Sequence, residues 1–192
     1  MEMIGPKPRW QYKKITMLNE LNQDLVKTAE NNGITMPDSY VREMEDLDSA
    51  CDPNDVHGWI QAKLDVVEKN LADICTTVLE EKPYALNDLK KTAYLFGYRY
   101  SQMTPDALSA YQLLDNVLLN GMPCDAVNMV DETSAEKVVW HEAMDMHSKY
   151  WKDASVYREI RNEVIRGLLS KSPASYDYNN GSQMITVTET VL

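Results

Sequence analysis

The sequence predicts an all-α fold: a compact antiparallel bundle of six or seven helices, with an extended N-terminal arm and a C-terminal arm ending in a β-strand. Three observations carry that prediction. Apolar residues recur at alternating spacings of three and four through most of the chain, the period of a helix that buries one stripe. Pro, Asp, Thr and Gly stand where those runs begin and end. Only the last ten residues are rich in β-branched side chains. The expected organisation is an arm over 1–9, a helical domain over 10–169, and an arm over 170–192 with a terminal strand.

In the first arm, Gly5, Pro6 and Pro8 oppose an early helix, so helix is expected from Trp10. Ile15, Leu18, Leu21, Val26 and Ala29 mark its apolar face, and Asn31, Asn32 and Gly33 supply residues that tolerate a left-handed C-cap. Pro37 opens a short acidic helix carrying Tyr40, Met44 and Leu47. The longest apolar rhythm follows. Ile60, Leu64, Val67, Leu71, Ile74 and Val78 form a seam in a helix that begins between Asp52 and Trp59 and ends at Lys82, before Pro83.

Leu86, Leu89, Ala93, Phe96 and Tyr100 repeat the rhythm, with Gly97 as a weak point for helix propensity. Thr104, Pro105 and Asp106 start a helix that buries Leu108, Tyr111, Leu114 and Leu118 and stops at Gly121 and Pro123. A short helix is expected over Asp125 to Val130. Thr133 and Glu136 match a capping box, ahead of Val139, Ala143, Met146 and Tyr150 at helical spacing. Asp153 or Ser155 caps a last helix through Val156, Ile160, Val164 and Leu168. The helices carrying Leu86 to Tyr100 and Val139 to Tyr150 are the expected partners of the central seam.

Beyond Leu169, SKSPASYDYNNGS reads as a polar linker, and QMITVTETVL as a strand with no partner elsewhere in the chain. An unpaired strand exposes backbone donors and acceptors. Ile185, Val187 and Val191 are therefore expected to bind a protein partner by adding a strand to its sheet.

Composition narrows function. A net charge of -11 and a pI near 4.7 oppose direct nucleic-acid binding, which draws affinity from Lys and Arg on phosphates, and favour protein partners. The basic start (Lys7, Arg9, Lys13, Lys14) contrasts with an acidic run from Glu43 to Asp55. Cys51, Cys75 and Cys124 are odd in number and lack C-x-x-C, so neither a disulfide framework nor a zinc ribbon is expected. No apolar run is long enough for a membrane span and no signal-peptide pattern is seen, so no membrane association is expected and a reducing cytosol is the expected place of synthesis.

Candidate chemical groups are sparse. His141, Asp145 and Lys149 stand at i, i+4 and i+8 of the expected helix with Glu142 beside them, the one place for a small metal-dependent enzyme site. Cys51, Asp52, Asp55 and His57 form a loose second set. There is no G-x-S-x-G, no Gly-rich phosphate loop and no E-x-x-H. The expectation is no catalytic residue, no metal and no cofactor.

At HGWIQAKLDVVEKNLADI, Trp59, Gln61, Ala62 and Lys63 open the amphipathic seam at Leu64 and Val67. That segment resembles a helix recurring in structural and morphogenesis proteins of tailed bacteriophages. The resemblance implies a non-enzymatic virion or assembly component, for example in the head-to-tail connector or neck, assembled in the host cytoplasm and multimerising through helix faces and arms. It implies no catalytic residues. A cytosolic helical adaptor with one protein partner is the alternative.

Overall fold

A computed structural model describes residues 4–188. The fold combines helices with a four-stranded antiparallel sheet, and the all-α expectation is corrected accordingly. The helices are α1 (Pro6–Asn31), α2 (Leu47–Ala50), α3 (Val56–Glu81), α4 (Leu86–Arg99), α5 (Ala107–Val117) and α6 (Ala154–Leu169). The strands are β1 (Asn128–Thr133), β2 (Lys137–Glu142), β3 (Ala174–Asn179) and β4 (Ser182–Val187), in the order β1-β2-β4-β3.

α1 starts earlier than the arm boundary at residue 9. Pro6 and Pro8 lie in its first turn, where a backbone N–H has no intrahelical partner to lose. The short helix expected after Pro37 is a 3₁₀ turn, Asp38–Val41, followed by the single-turn α2. Asp55, Asp106 and Asp153 each accept a hydrogen bond from a backbone N–H of the turn that follows and so cap α3, α5 and α6.

All six seam residues of α3 are buried. Their chief partner is α1, which lies along α3 and whose Asn22 Nδ2 donates to Val67 O at 2.9 Å. The expected helix over 139–150 does not exist, and the part of that segment that meets α3 is the 3₁₀ turn Ser148–Tyr150. α4 packs instead on α6. A Cβ built on Gly97 overlaps Val164 O, and one built on Gly167 overlaps Tyr94 O. The weak point of α4 is therefore the place where two helix backbones meet.

The region expected as one capped helix, 133–151, holds the β1–β2 hairpin and a loop. Ser134 Oγ accepts from Glu136 N and Lys137 N, closing the turn that the T-x-x-E pattern imitates. Val138 and Trp140 alternate into the core while Val139 and His141 point the other way, a period of two rather than 3.6. β1 also replaces the short helix expected over 125–130, of which only the 3₁₀ turn Pro123–Asp125 remains.

The expected linker contains β3. Asn180 and Gly181 take positive φ angles of 48° and 87°, the two-residue turn that joins β3 to β4. β4 is thus an inner strand: Ile185 pairs with Val138 on one side and Tyr176 on the other, and its side chain is fully buried. Val187 N donates to Glu136 O at 2.8 Å. The expectation of an orphan strand offered to another molecule is overturned, because β2 and β3 already satisfy both edges of β4. Val191 lies outside the described residues. Among these, no helix is long and apolar enough to cross a membrane.

Val138, Trp140 and Ile185 of the sheet join Leu71, Ile74, Val78, Phe96, Leu114 and Ile165 of the helices in the main core. A smaller cluster around Tyr12, Ile15, Leu47, Ile60, Leu64 and Met122 closes the other end of α1 and α3. The central seam bridges both.

Candidate functional site

Two regions stand apart from ordinary core and solvated surface. The first is the outward face of α4. Lys91, Leu95 and Tyr98 follow at i, i+4 and i+7, so they share one side of the helix, opposite Ala93, Phe96 and Gly97. Leu95 is 52% exposed and Tyr98 48%; Tyr84, in the 3₁₀ turn before α4, and Met103, after its end, are exposed as well. Single exposed apolar residues are ordinary, whereas several along one helix face mark a surface suited to association.

The sheet edges differ from that face. β1 has a bulge between Val130 and Glu132 and carries Asp131 and Glu132, while β3 carries Asp177. Bulges and charges blunt an edge against strand addition.

The second region is a polar interior where α1, α3, α5, α6 and the ends of β2 and β4 meet. Glu142, the last residue of β2, receives Arg158 Nη2 at 3.2 Å and Gln183 Nε2 at 3.2 Å, with Arg161 Nη2 at 3.5 Å. Burial pushes the Glu142 carboxyl up, but Arg161 and Arg158 outweigh it and hold the group below its usual range. The buried Arg161 guanidinium also donates to Tyr157 OH at 3.3 Å. Burial raises the Tyr157 hydroxyl above its ordinary range.

Tyr157 stacks on the buried His147 ring, 4.1 Å between centroids. His147 Nδ1 lies 3.1 Å from Glu68 Oε2 and Nε2 lies 2.9 Å from Asn120 Oδ1, so both ring nitrogens face oxygen acceptors. Asn120 Nδ2 donates to Asn128 Oδ1 at 2.7 Å, which continues the chain of polar contacts to the wall of a pocket.

That pocket, of about 230 Å³, lies between α1, α5 and the 118–128 loop, with Trp10, Lys14, Tyr111, Asp115, Asn120 and Asn128 in its wall. Lys14 is only 4% exposed. Its Nζ lies 3.8 Å from Asp115 Oδ1 and 4.1 Å from the centroid of the Trp10 ring. Burial pushes the Lys14 ammonium down and Arg161 adds to the effect. Asp115 opposes it, leaving the group at about 8.

No family model, curated protein or solved structure matches the chain.

The groups expected to converge around His141 do not. His141 Nδ1 faces outward to Asp131 Oδ2 at 2.7 Å, whereas Glu142 points inward to the arginines. Asp145 accepts from His147 N and Ser148 N, and Lys149 lies 3.7 Å from Asp65. A strand places neighbours on opposite faces, so the adjacent residues separate. The set from Cys51 to His57 disperses as well: Cys51 is buried, Asp52 and Asp55 bind backbone N–H groups, and His57 Nε2 lies 3.5 Å from Cys124 Sγ. Among the described residues no three His, Cys, Asp or Glu side chains are arranged to hold a metal ion.

Sequence reasoning missed the polar interior. One signal was present: Gln11, Lys14, Leu18, Leu21 and Leu25 run at spacings of three and four, so two polar residues occupy positions on the buried stripe of α1.

Proposed function

We propose that this protein is a non-enzymatic structural or assembly component of a tailed-phage particle, in the connector or neck region, that forms a homo-oligomer through the outer face of α4. It would assemble in the host cytoplasm and remain in the virion. The exposed stripe of Leu95 and Tyr98, flanked by Tyr84 and Met103, is the observation that carries this reading. Burying each such side chain in a subunit contact contributes about 1.5–3 kcal/mol. The phage-like segment supports the same class from within α3. There Lys63 Nζ sits 4.9 Å above the Trp59 ring, Trp59 packs on Tyr12, and Gln61 Nε2 donates to Asp65 at 3.1 Å. Trp, Gln and Lys at these spacings brace the first turns of the central helix.

Light scattering of the purified chain tests the assembly reading. A homo-oligomer is expected, with Leu95→Glu and Tyr98→Glu each weakening association by on the order of tenfold or more while the circular dichroism spectrum is unchanged. A monomer at high concentration, or an oligomer that survives both substitutions, overturns it; a monomer favours the adaptor reading. Portal, terminase or tail genes beside its own are the expected genomic setting. Their absence removes the phage assignment.

A further inference from the structure

We propose that Lys14 is an amine site that captures a small aldehyde or ketone as an imine in the pocket between α1 and α5, with Asp115 as the proton carrier. This inference is independent of the assembly reading, since the α4 face takes no part in it.

A lysine on the buried stripe of a helix is costly unless its ammonium is paired closely or can release its proton. Lys14 has no carboxylate at hydrogen-bond distance, and its short-range partner is the face of the Trp10 ring, with the centroid 4.1 Å from Nζ. Asp115 Oδ1, at 3.8 Å, is beyond hydrogen-bond distance from Nζ. The charged groups acting on Lys14 are Asp115 from α5 and Arg161 from α6, while the neutral Tyr111 hydroxyl stands in the same wall. With its ammonium poised at about 8, roughly a tenth of Lys14 is free amine at pH 7, against less than a thousandth for an ordinary lysine. Desolvated lysines of this kind are the nucleophiles that form Schiff bases.

The pocket, at about 230 Å³, falls below the range of drug-sized sites, so the ligand is small. Its wall supplies the Tyr111 hydroxyl and the Asn128 amide N–H groups as donors for the oxygen of a carbonyl compound. The chemistry balances without an oxidant or reductant. The Nζ lone pair attacks the carbonyl carbon, the C=O π pair moves to oxygen and takes a proton from solvent, and nitrogen gives up a proton to the Asp115 carboxylate. The protonated Asp115 then returns that proton to the hydroxyl, which leaves as water as the nitrogen lone pair forms C=N; the product is the protonated imine.

The test uses the full chain with pyruvate as a ketone probe and acetaldehyde as an aldehyde probe, trapped with cyanoborohydride and mapped by peptide mass spectrometry. The expected result is a single dominant adduct on Lys14. It should form on the order of tenfold faster than on the other lysines at pH 7, with a labelling rate that rises through a midpoint near 8. Asp115→Asn should slow trapping on the order of tenfold or more without moving the adduct. Lys14→Met should abolish the dominant adduct while retaining the helical spectrum. Because the wild-type chain alone decides the matter, an unfolded variant leaves the test intact. Adducts spread evenly over surface lysines, or a Lys14 midpoint near 10, overturn the proposal. A wild-type rate in Asp115→Asn removes Asp115 from it.

Discussion

Replacing Gly97 by Ala probes the meeting of α4 and α6. The new Cβ overlaps Val164 O and comes within 2.9 Å of Leu168 N, both backbone atoms that cannot swing aside. Restoring ordinary contact requires the helices to separate by roughly 1 Å. That separation loosens the contacts of Phe96 and Ala93 with α6, and overpacking of this kind costs about 1–3 kcal/mol. Ala also improves helix propensity over Gly by about 1 kcal/mol. With rigid backbone on the other side the packing cost lies at the upper end, so the net loss is about 2 kcal/mol. For a chain of this size that corresponds to a fall in Tm of about 4–8 °C. Urea titration followed by far-ultraviolet circular dichroism measures it. Gly167→Ala should behave alike, and the double variant should cost less than the sum, since helices already parted accommodate the second methyl. A Gly97→Ala chain as stable as the parent, or more stable by about the propensity difference, refutes the close crossing.

Two further outcomes follow from the interior. Glu142→Gln leaves the buried Arg161 guanidinium with its carboxylate partner removed and should destabilise by about 3–5 kcal/mol. Because the folded Glu142 carboxyl lies below its usual value, its contribution is present above the unfolded value near 4.5 and is lost as pH falls through the folded one. Urea midpoints of the parent should therefore drop more steeply than those of Glu142→Gln below pH 4.5, and parallel acid limbs would refute the assignment. A thiol reagent at neutral pH should find one fast group per chain, Cys124. Cys51 and Cys75 are buried, and burial pushes the Cys75 thiol up to about 12. More than one fast thiol in the native protein counts against this packing.

The helical half of the fold was legible in the sequence. Period marks α1, α3, α4 and α6 because a helix makes its hydrogen bonds within itself, so spacing is a local signal. In α5 the buried face is Ala107, Ala110, Leu113, Leu114 and Val117, and Leu108, expected to be buried, is exposed. Asp153 caps α6 as the sequence predicts, whereas α3 takes Asp55 rather than Asp52 as its cap and α5 takes Asp106 rather than Thr104. The Asn180–Gly181 turn was equally local, and it was hidden only by reading its flanks as a linker.

Tertiary structure decided the rest. Val138 to Glu142 fits a helix face or a strand until a partner is present, and that partner, β4, lies over 40 residues away. The β2–β4 pairing is completed by non-local bonds, so neither of these strands announces the other. The polar interior has the same character. Lys14 reaches Asp115, Glu68 reaches His147, and Glu142 reaches Arg161 only because the helices cross where they do. Gly97 joins the two levels: by propensity it weakens α4, while by position it is the residue that lets α6 approach. Composition and period state which surfaces must be buried. Which buried charges meet depends on the angles at which elements pack, a property of the whole assembly of helices and sheet rather than of any one segment.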